Sequence, residues 1–197
     1  FLYSKELESI KKSNRFRTRD IFDENLIDLA SNDYLGLSTN KTLFQKAYEN
    51  VLNQNFHSPR ASMLVNGYTK IHKDFEDKLC QANKFEAAVT VGSGFLANIS
   101  MIEALTRKND TLFIDVEYHA SGILATKLLR PEQVIVFKHN DYEDLEKKIL
   151  ENKRVGRNII AIEGVYSMGG DIAPIEIFKI SDKYKTLLIV DEAHSSG

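Results

Sequence analysis

From residue 87 to residue 191 the chain alternates between two hydrophobic periods, and that alternation limits its fold more than any other feature. Apolar, β-branched runs occur at Ala87–Val91, Thr111–Val116, Val134–His139, Asn158–Glu163 and Thr186–Asp191. Between them lie stretches of helical spacing near 95–106, 119–129, 141–151 and 174–184; Tyr142, Leu145 and Ile149 mark one by the i, i+3, i+7 pattern. Near-continuous apolar runs suit strands covered on both faces, and a helix between successive strands is the connection that parallel pairing requires. The expected fold is α/β: a mostly parallel sheet with helices on both faces. Its ligands should gather outside the carboxyl ends of the strands.

The upstream part is less regular. Leu2, Leu7 and Ile10 give a helical spacing to about Ser13; Leu26–Ala30 reads as a short strand and Ser31–Leu37 as a turn. A helix is expected through Leu43, Ala47 and Val51, then irregular chain around Pro59 and Gly67, then a helix carrying Ile71, Phe75 and Leu79. The organisation expected is an N-terminal segment, 1–40, and a ligand-binding domain, 41–197.

Bulk composition excludes more than it assigns. The 197 residues carry 26 basic and 28 acidic side chains, so no net charge draws the chain to nucleic acid or to an anionic membrane. The basic cluster from Lys11 to Arg19 reads as solvated surface near a helix end. Cys80 stands alone, which rules out a disulfide framework. With no membrane-length apolar run and no signal-peptide pattern, a reducing, cytoplasmic setting is expected. The chain starts on Phe1 and stops at Gly197 within an apparent site loop, so further protein is expected on both sides.

Polar signals cluster at the strand ends: Gly92-Ser93-Gly94-Phe95, Asp115 with His119, His139-Asn140-Asp141, Glu163 with Ser167, and Asp191-Glu192-Ala193-His194. Three chemistries compete for them. The last four residues match the acidic box of a helicase-type ATPase, but that chemistry needs G-x-x-x-x-G-K-[ST] upstream and residues 1–190 contain none. Gly92–Ala97 fits the dinucleotide fingerprint G-x-G-x-x-[GA], with Asp115 at the end of the next run. That NAD(P)-binding oxidoreductase reading stays open, although it leaves His119, Ser167, Asp191 and His194 without a task. A pyridoxal-phosphate site uses every signal. It needs a phosphate cradle, which backbone N–H groups at a helix start supply, and an acid beside the pyridine nitrogen. Because positions 191 and 194 point to opposite faces of a regular strand, the chain should bend just past Asp191.

The same residues resemble the α-oxoamine synthases, pyridoxal-phosphate enzymes that condense an amino acid with an acyl thioester. The matching segments are Ser31-Asn32-Asp33-Tyr34-Leu35-Gly36-Leu37-Ser38, Gly67-Tyr68 with His72 and Glu76, Ser93–Asn98, His119-Ala120-Ser121, His139-Asn140-Asp141, Glu163–Met168 and Asp191–His194. The resemblance implies the major domain of a fold-type I pyridoxal-phosphate transferase, incomplete at its C-terminus, and a homodimer. It places Ser93, Gly94 and Phe95 by the cofactor phosphate and His119 against the ring and substrate. Ser167 and His194 fall to the phenolic oxygen, Asp191 to the pyridine nitrogen and Asn32 to the substrate side. The Schiff-base lysine is expected beyond Gly197, so the chain alone should not catalyse. Within the family, Glu163–Pro174 and the His-Asn-Asp triplet resemble the branch that joins L-alanine to a pimeloyl thioester in biotin biosynthesis. Glycine-using members share most of the motifs, and either coenzyme A or an acyl carrier protein fits as thioester carrier.

Two departures bear on this. The family's Ser-Met-Asp-Gly-Asp reads Ser167-Met168-Gly169-Gly170-Asp171 here, which removes an expected turn hydrogen bond. The loop before Gly67 reads Ser58-Pro59-Arg60-Ala61-Ser62, stiffer and more basic than the family's glycine-serine run. Structural tasks are expected for His72, as a cap or packing group, and for His139, as a holder of its loop. Glu163 reads equally as a buried loop anchor or an acid. An inactive scaffold of the same fold is the non-enzyme alternative, and a lysine in a later strand-end loop would discriminate.

Overall fold

The structure is a computed structural model and describes residues 2–196. The chain falls into two compact units, Phe1–Lys46 and Ala47–Gly197.

The first unit holds helix α1 (Ser4–Lys12) and the start of α2 (Lys41–Leu52), joined by chain organised through side-chain-to-backbone bonds. Its described residues are all exposed or half-buried. Leu26–Ala30 is not a strand. Asp28 Oδ1 accepts from the Ala30 and Ser31 N–H groups at 2.9 and 3.0 Å, an Asx turn that withdraws the donors a ladder would use. Asp33 does the same for Leu37 and Ser38, and Gly36 supplies the left-handed residue (φ 63°) that the turn needs.

The second unit is the α/β layer structure. Its helices are α3 (Lys70–Asn83), α4 (Gly94–Leu105), α5 (Ala120–Thr126), α6 (Tyr142–Glu151) and α7 (Ile175–Tyr184). Four strands, β1 (Thr111–Asp115), β2 (Val134–Phe137), β3 (Asn158–Glu163) and β4 (Leu187–Asp191), pair in parallel in the order β2-β1-β3-β4. β1 is buried along its whole length, as its uninterrupted apolar run requires. Alternate residues face opposite sides. Phe113, Ile160 and Ile162 pack with Phe137, Leu145, Ile149, Tyr166, Ile177 and Ile180. Leu112, Ile114, Ile159, Ala161 and Ile189 pack with Ile102, Tyr118 and Ala125. Each Leu, Ile or Phe side chain among them contributes about 1.5–3 kcal/mol by burial, so the two faces fix which residues reach the strand ends.

One expected strand does not form. Ala87–Val91 runs as irregular chain between α3 and α4, and the Thr90 N–H bonds to Glu76 Oε1 of α3 at 2.7 Å instead of a neighbouring strand. His72 sits at the start of α3, where its Nδ1 accepts from the Thr69 N–H at 3.2 Å and its ring stacks with Tyr68. Among the described residues no helix is long and apolar enough to cross a membrane.

Candidate active site

Parallel pairing brings three carboxylates to one rim of the sheet. Asp115 ends β1, and Glu163 and Asp191 are direct register partners at the ends of β3 and β4. Asp191 Oδ2 accepts from Asn98 Nδ2 at 2.6 Å and Oδ1 from the Ala193 N–H at 2.9 Å. Glu163 Oε1 accepts from the His119 N–H at 2.6 Å, and the Ser167 N–H also donates to this carboxylate. The hydrogen bonds on this pair come from the Asn98 amide and from backbone N–H groups, and the charge of His119 also acts on Glu163. Burial, reinforced by the charge of Asp191, pushes Glu163 above the usual carboxylate range despite those hydrogen bonds. Burial also pushes the Tyr118 hydroxyl up, with the charges of Asp191 and Glu163 adding to it.

Asn98 organises the rim. It is 4 % exposed in a mostly apolar helix, and three of its hydrogen-bonding positions are used. Besides Asp191, its Nδ2 donates to Ser121 Oγ at 3.0 Å, and its Oδ1 accepts from the Tyr118 hydroxyl at 2.9 Å. Ser121 Oγ lies 2.7 Å from His119 Nδ1, which also accepts from the Ser121 N–H at 3.3 Å. With its lone pair facing Asn98, the Ser121 hydroxyl is placed to donate to Nδ1, so a neutral His119 carries its hydrogen on Nε2. A chain of polar contacts thus runs from Asp191 through Asn98 and Ser121 to His119.

The amino end of α4 could hold an anion. Ser93 caps the helix, its Oγ accepting from Leu96 N–H at 3.2 Å, while Gly94 and Phe95 present N–H groups that helix geometry leaves without an intrahelical acceptor. A Cβ on Gly94 would meet nothing within 4 Å, so the turn faces open space. Asn98 follows one turn later. A single helix therefore offers an anion seat at its start and holds an acid at its flank. These donors fit a flat, phosphate-bearing pyridine ring. The dinucleotide reading loses its premise, because no strand precedes Gly92.

Asn32 lies exposed in the first unit, 3.4 Å from the Tyr34 hydroxyl. Ser167 is exposed in the loop after β3. The chain turns past Asp191, with the Ser195 and Ser196 N–H groups bonding to Glu192 O. His194, half-buried, lines a concavity of about 770 Å³ with Gly164, Val165, Leu188 and Val190. That concavity opens on the Leu188–Val190 side of β4, whereas Asp191 meets Asn98 on the Ile189 side.

Gly169 does not leave its turn unclosed. Tyr166 N–H bonds to Asp171 O at 3.0 Å and Gly170 N–H to Tyr166 O at 2.8 Å, with Gly170 in the left-handed region (φ 71°). A Cβ on residue 169 would stand 2.2 Å from Asp171 Oδ1, so the glycine leaves room for that carboxylate. Sequence reasoning gave no task to Asn98, Ser121 or Tyr118. The legible signal was a lone amide amid the apolar residues of α4, since a buried amide must find partners.

The aminotransferase class I and II family model matches residues 24–197. A Helicobacter pylori protein named 8-amino-7-oxononanoate synthase is 49% identical over 197 residues, covering 100% of this chain and 52% of that protein. Among solved structures, serine palmitoyltransferase from S. paucimobilis with a bound PLP–myriocin aldimine superposes with a TM-score of 0.83 at 26% identity, covering 99% of this chain and 55% of the other. The 8-amino-7-oxononanoate synthase of Francisella tularensis gives a TM-score of 0.67 at 27% identity over 86% of this chain and 46% of its own. The chain spans about half the length of these relatives.

Proposed function

Since the chain belongs to the aminotransferase class I and II family and, within it, to the α-oxoamine synthases, we propose that it forms the cofactor-binding part of a pyridoxal-phosphate-dependent acyltransferase of the 8-amino-7-oxononanoate synthase type. The reaction proposed joins L-alanine to a pimeloyl thioester, carried by coenzyme A or an acyl carrier protein, and releases CO₂ and the thiol. One observation supports this reading: two adjacent strand-end acids, Glu163 and Asp191, are held by the Asn98 amide and backbone N–H groups, on a rim beside a helix start with free N–H groups. A dipolar ligand with a cationic ring and an anionic tail complements that arrangement.

When bound, pyridoxal phosphate supplies the electron sink for carbanion chemistry. The N–H groups of Gly94 and Phe95, with Ser93, would hold its phosphate. Asp191, kept in place by Asn98, would accept from the pyridine N–H. His119 would cover the ring face and orient the amino acid, while Ser167 would approach the phenolic oxygen. A cytoplasmic homodimer is part of the same proposal.

The test uses the full-length protein. Incubation with pyridoxal phosphate should give visible absorbance that survives gel filtration, and CO₂ release should be fastest with alanine and a pimeloyl thioester. A colourless protein would overturn the cofactor assignment. Faster turnover of glycine with an acetyl or succinyl thioester would overturn the substrate assignment alone.

A further inference from the structure

We propose that His139 is a positioning residue: bridging Asp115 and Asp171 as an imidazolium, it locks the Ser167 loop to the strand end from which the His119 loop departs. Its consequence for turnover rests on the roles proposed above for Ser167 and His119; the clamp itself rests on geometry.

His139 Nδ1 lies 2.9 Å from Asp115 Oδ1 and Nε2 lies 2.5 Å from Asp171 Oδ2. A carboxylate only accepts, so both ring nitrogens must donate, and that requires the charged ring. The contacts span 24 and 32 residues of sequence, which makes them tertiary joints rather than local turns. Asp115, fully buried, is the hub. It accepts from the Glu117 N–H at 2.8 Å and the Asn140 N–H at 2.9 Å, and its carbonyl accepts from the Tyr118 N–H at 3.1 Å. The segment leading to His119 therefore hangs on the acid that His139 neutralises. On the other side, Asn140 Nδ2 joins His139 on Asp171 Oδ2 at 2.6 Å. Within the Ser167 loop itself two backbone bonds close the turn, and Asp171 adds a side-chain attachment to the rim beside the Ser167 N–H bond to Glu163.

Every group facing the ring favours its charge or is neutral. Glu117 Oε2 lies 3.8 Å from Nε2, and the Tyr166 ring meets the imidazole edge-on at 4.5 Å. Lys138, adjacent in sequence, pairs with Asp141 at 3.9 Å, and from α6 Asp144 pairs with Lys148. Burial works against the charge, but the hydrogen bonds and charges of Asp115 and Asp171 outweigh it and raise His139 above the ordinary histidine value. The clamp should hold at pH near 6.5 and below, and open as pH rises through the raised value.

The experiment compares wild type, His139→Gln, Asp171→Ala, and His139→Ala with added imidazole, all in the full-length protein without cofactor. The readout is amide hydrogen exchange of residues 164–172, corrected for intrinsic rate, across pH 6–10. Wild-type protection should fall at least about tenfold through one titration, the equivalent of one lost contact. His139→Gln and Asp171→Ala should lack that titration, and imidazole should restore part of the protection in His139→Ala. Should His139→Gln not fold, Asp171→Ala reads the same joint without disturbing the buried Asp115. Retained, pH-independent protection in a folded variant, or a ring that NMR finds neutral at pH 7, would overturn the proposal. In the cofactor-loaded enzyme the alkaline limb of kcat/KM should be lost with His139→Gln. A wild-type protein that takes up no pyridoxal phosphate would instead fail the functional reading and leave the exchange result standing.

Discussion

Asp115 and Asp191 end parallel strands on either side of β3, yet the fold treats them in opposite ways. Asp115 is fully buried and carries its own cation, His139, together with two backbone donors. Asp191 is half-buried and held only by the Asn98 amide and one N–H, and its neighbour Glu163 is served by backbone N–H groups alone. Burying Glu163 beside Asp191 works against its ionisation, and the backbone bonds and the charge of His119 offset only part of that. The first corner is a joint between loops, whereas the second is the one proposed to receive a cationic ring.

Substitutions at each corner should separate these tasks. The largest effect is expected at Asp191. Asp191→Ala in the full-length protein should lower kcat by about 10²–10³-fold, the usual loss for a preorganised electrostatic group, with an unchanged circular dichroism spectrum. Asn98→Ala comes next, because it leaves the Tyr118 hydroxyl and Asp191 each short of a partner. Urea denaturation should show a loss of about 1–3 kcal/mol, and titration should show weaker pyridoxal-phosphate binding.

A third acid, at the other end of the strands, supplies the control. Asp110, buried just before β1, pairs with Arg157 at 2.6 Å and accepts from the Arg157 and Arg107 N–H groups. Asp110→Ala should cost a similar 1–3 kcal/mol, roughly, in urea and leave cofactor affinity unchanged. The smallest effects are in pH dependence. Burial opposes ionisation of Asp110, but the bonds to Arg157 outweigh it and lower its pKa, so its contribution is full above about 3.9 and fades as pH falls through the lowered value. His139 has the opposite sign. Its contribution is full below about 6.5 and fades as pH rises through the raised value. Urea midpoints against pH should therefore flatten on the acid side in Asp110→Ala and on the alkaline side in His139→Gln.

The strand ends were legible because periodicity alone places them. Runs such as Leu112-Phe113-Ile114 and Ile159-Ile160-Ala161-Ile162 must be buried strands, and the acids that close them must share a rim once the strands are parallel. Periodicity failed where a local bond competes with the ladder. Asp28 turned Leu26–Ala30 into an Asx turn, and Glu76 captured the Thr90 N–H in Ala87–Val91. The expected holding task of His139 is present, but its partners lie 24 and 32 residues away, and no local pattern names them. Asn98 has no local sequence signature of its task, because that task depends on α4 lying against the end of β4. Gly169 was read as a loss; in three dimensions it leaves space for Asp171.

The most direct measurement compares the affinity of the full-length protein for pyridoxal phosphate and for its 1-deaza analogue, which keeps the phosphate and the ring shape but has no pyridine nitrogen. If Asp191 and Glu163 form a seat for a cationic ring, the analogue should bind at least about tenfold more weakly, the loss expected for one charge-assisted hydrogen bond, and Asp191→Asn should erase most of the difference. Equal affinity of the wild-type protein for the two compounds would contradict the seat.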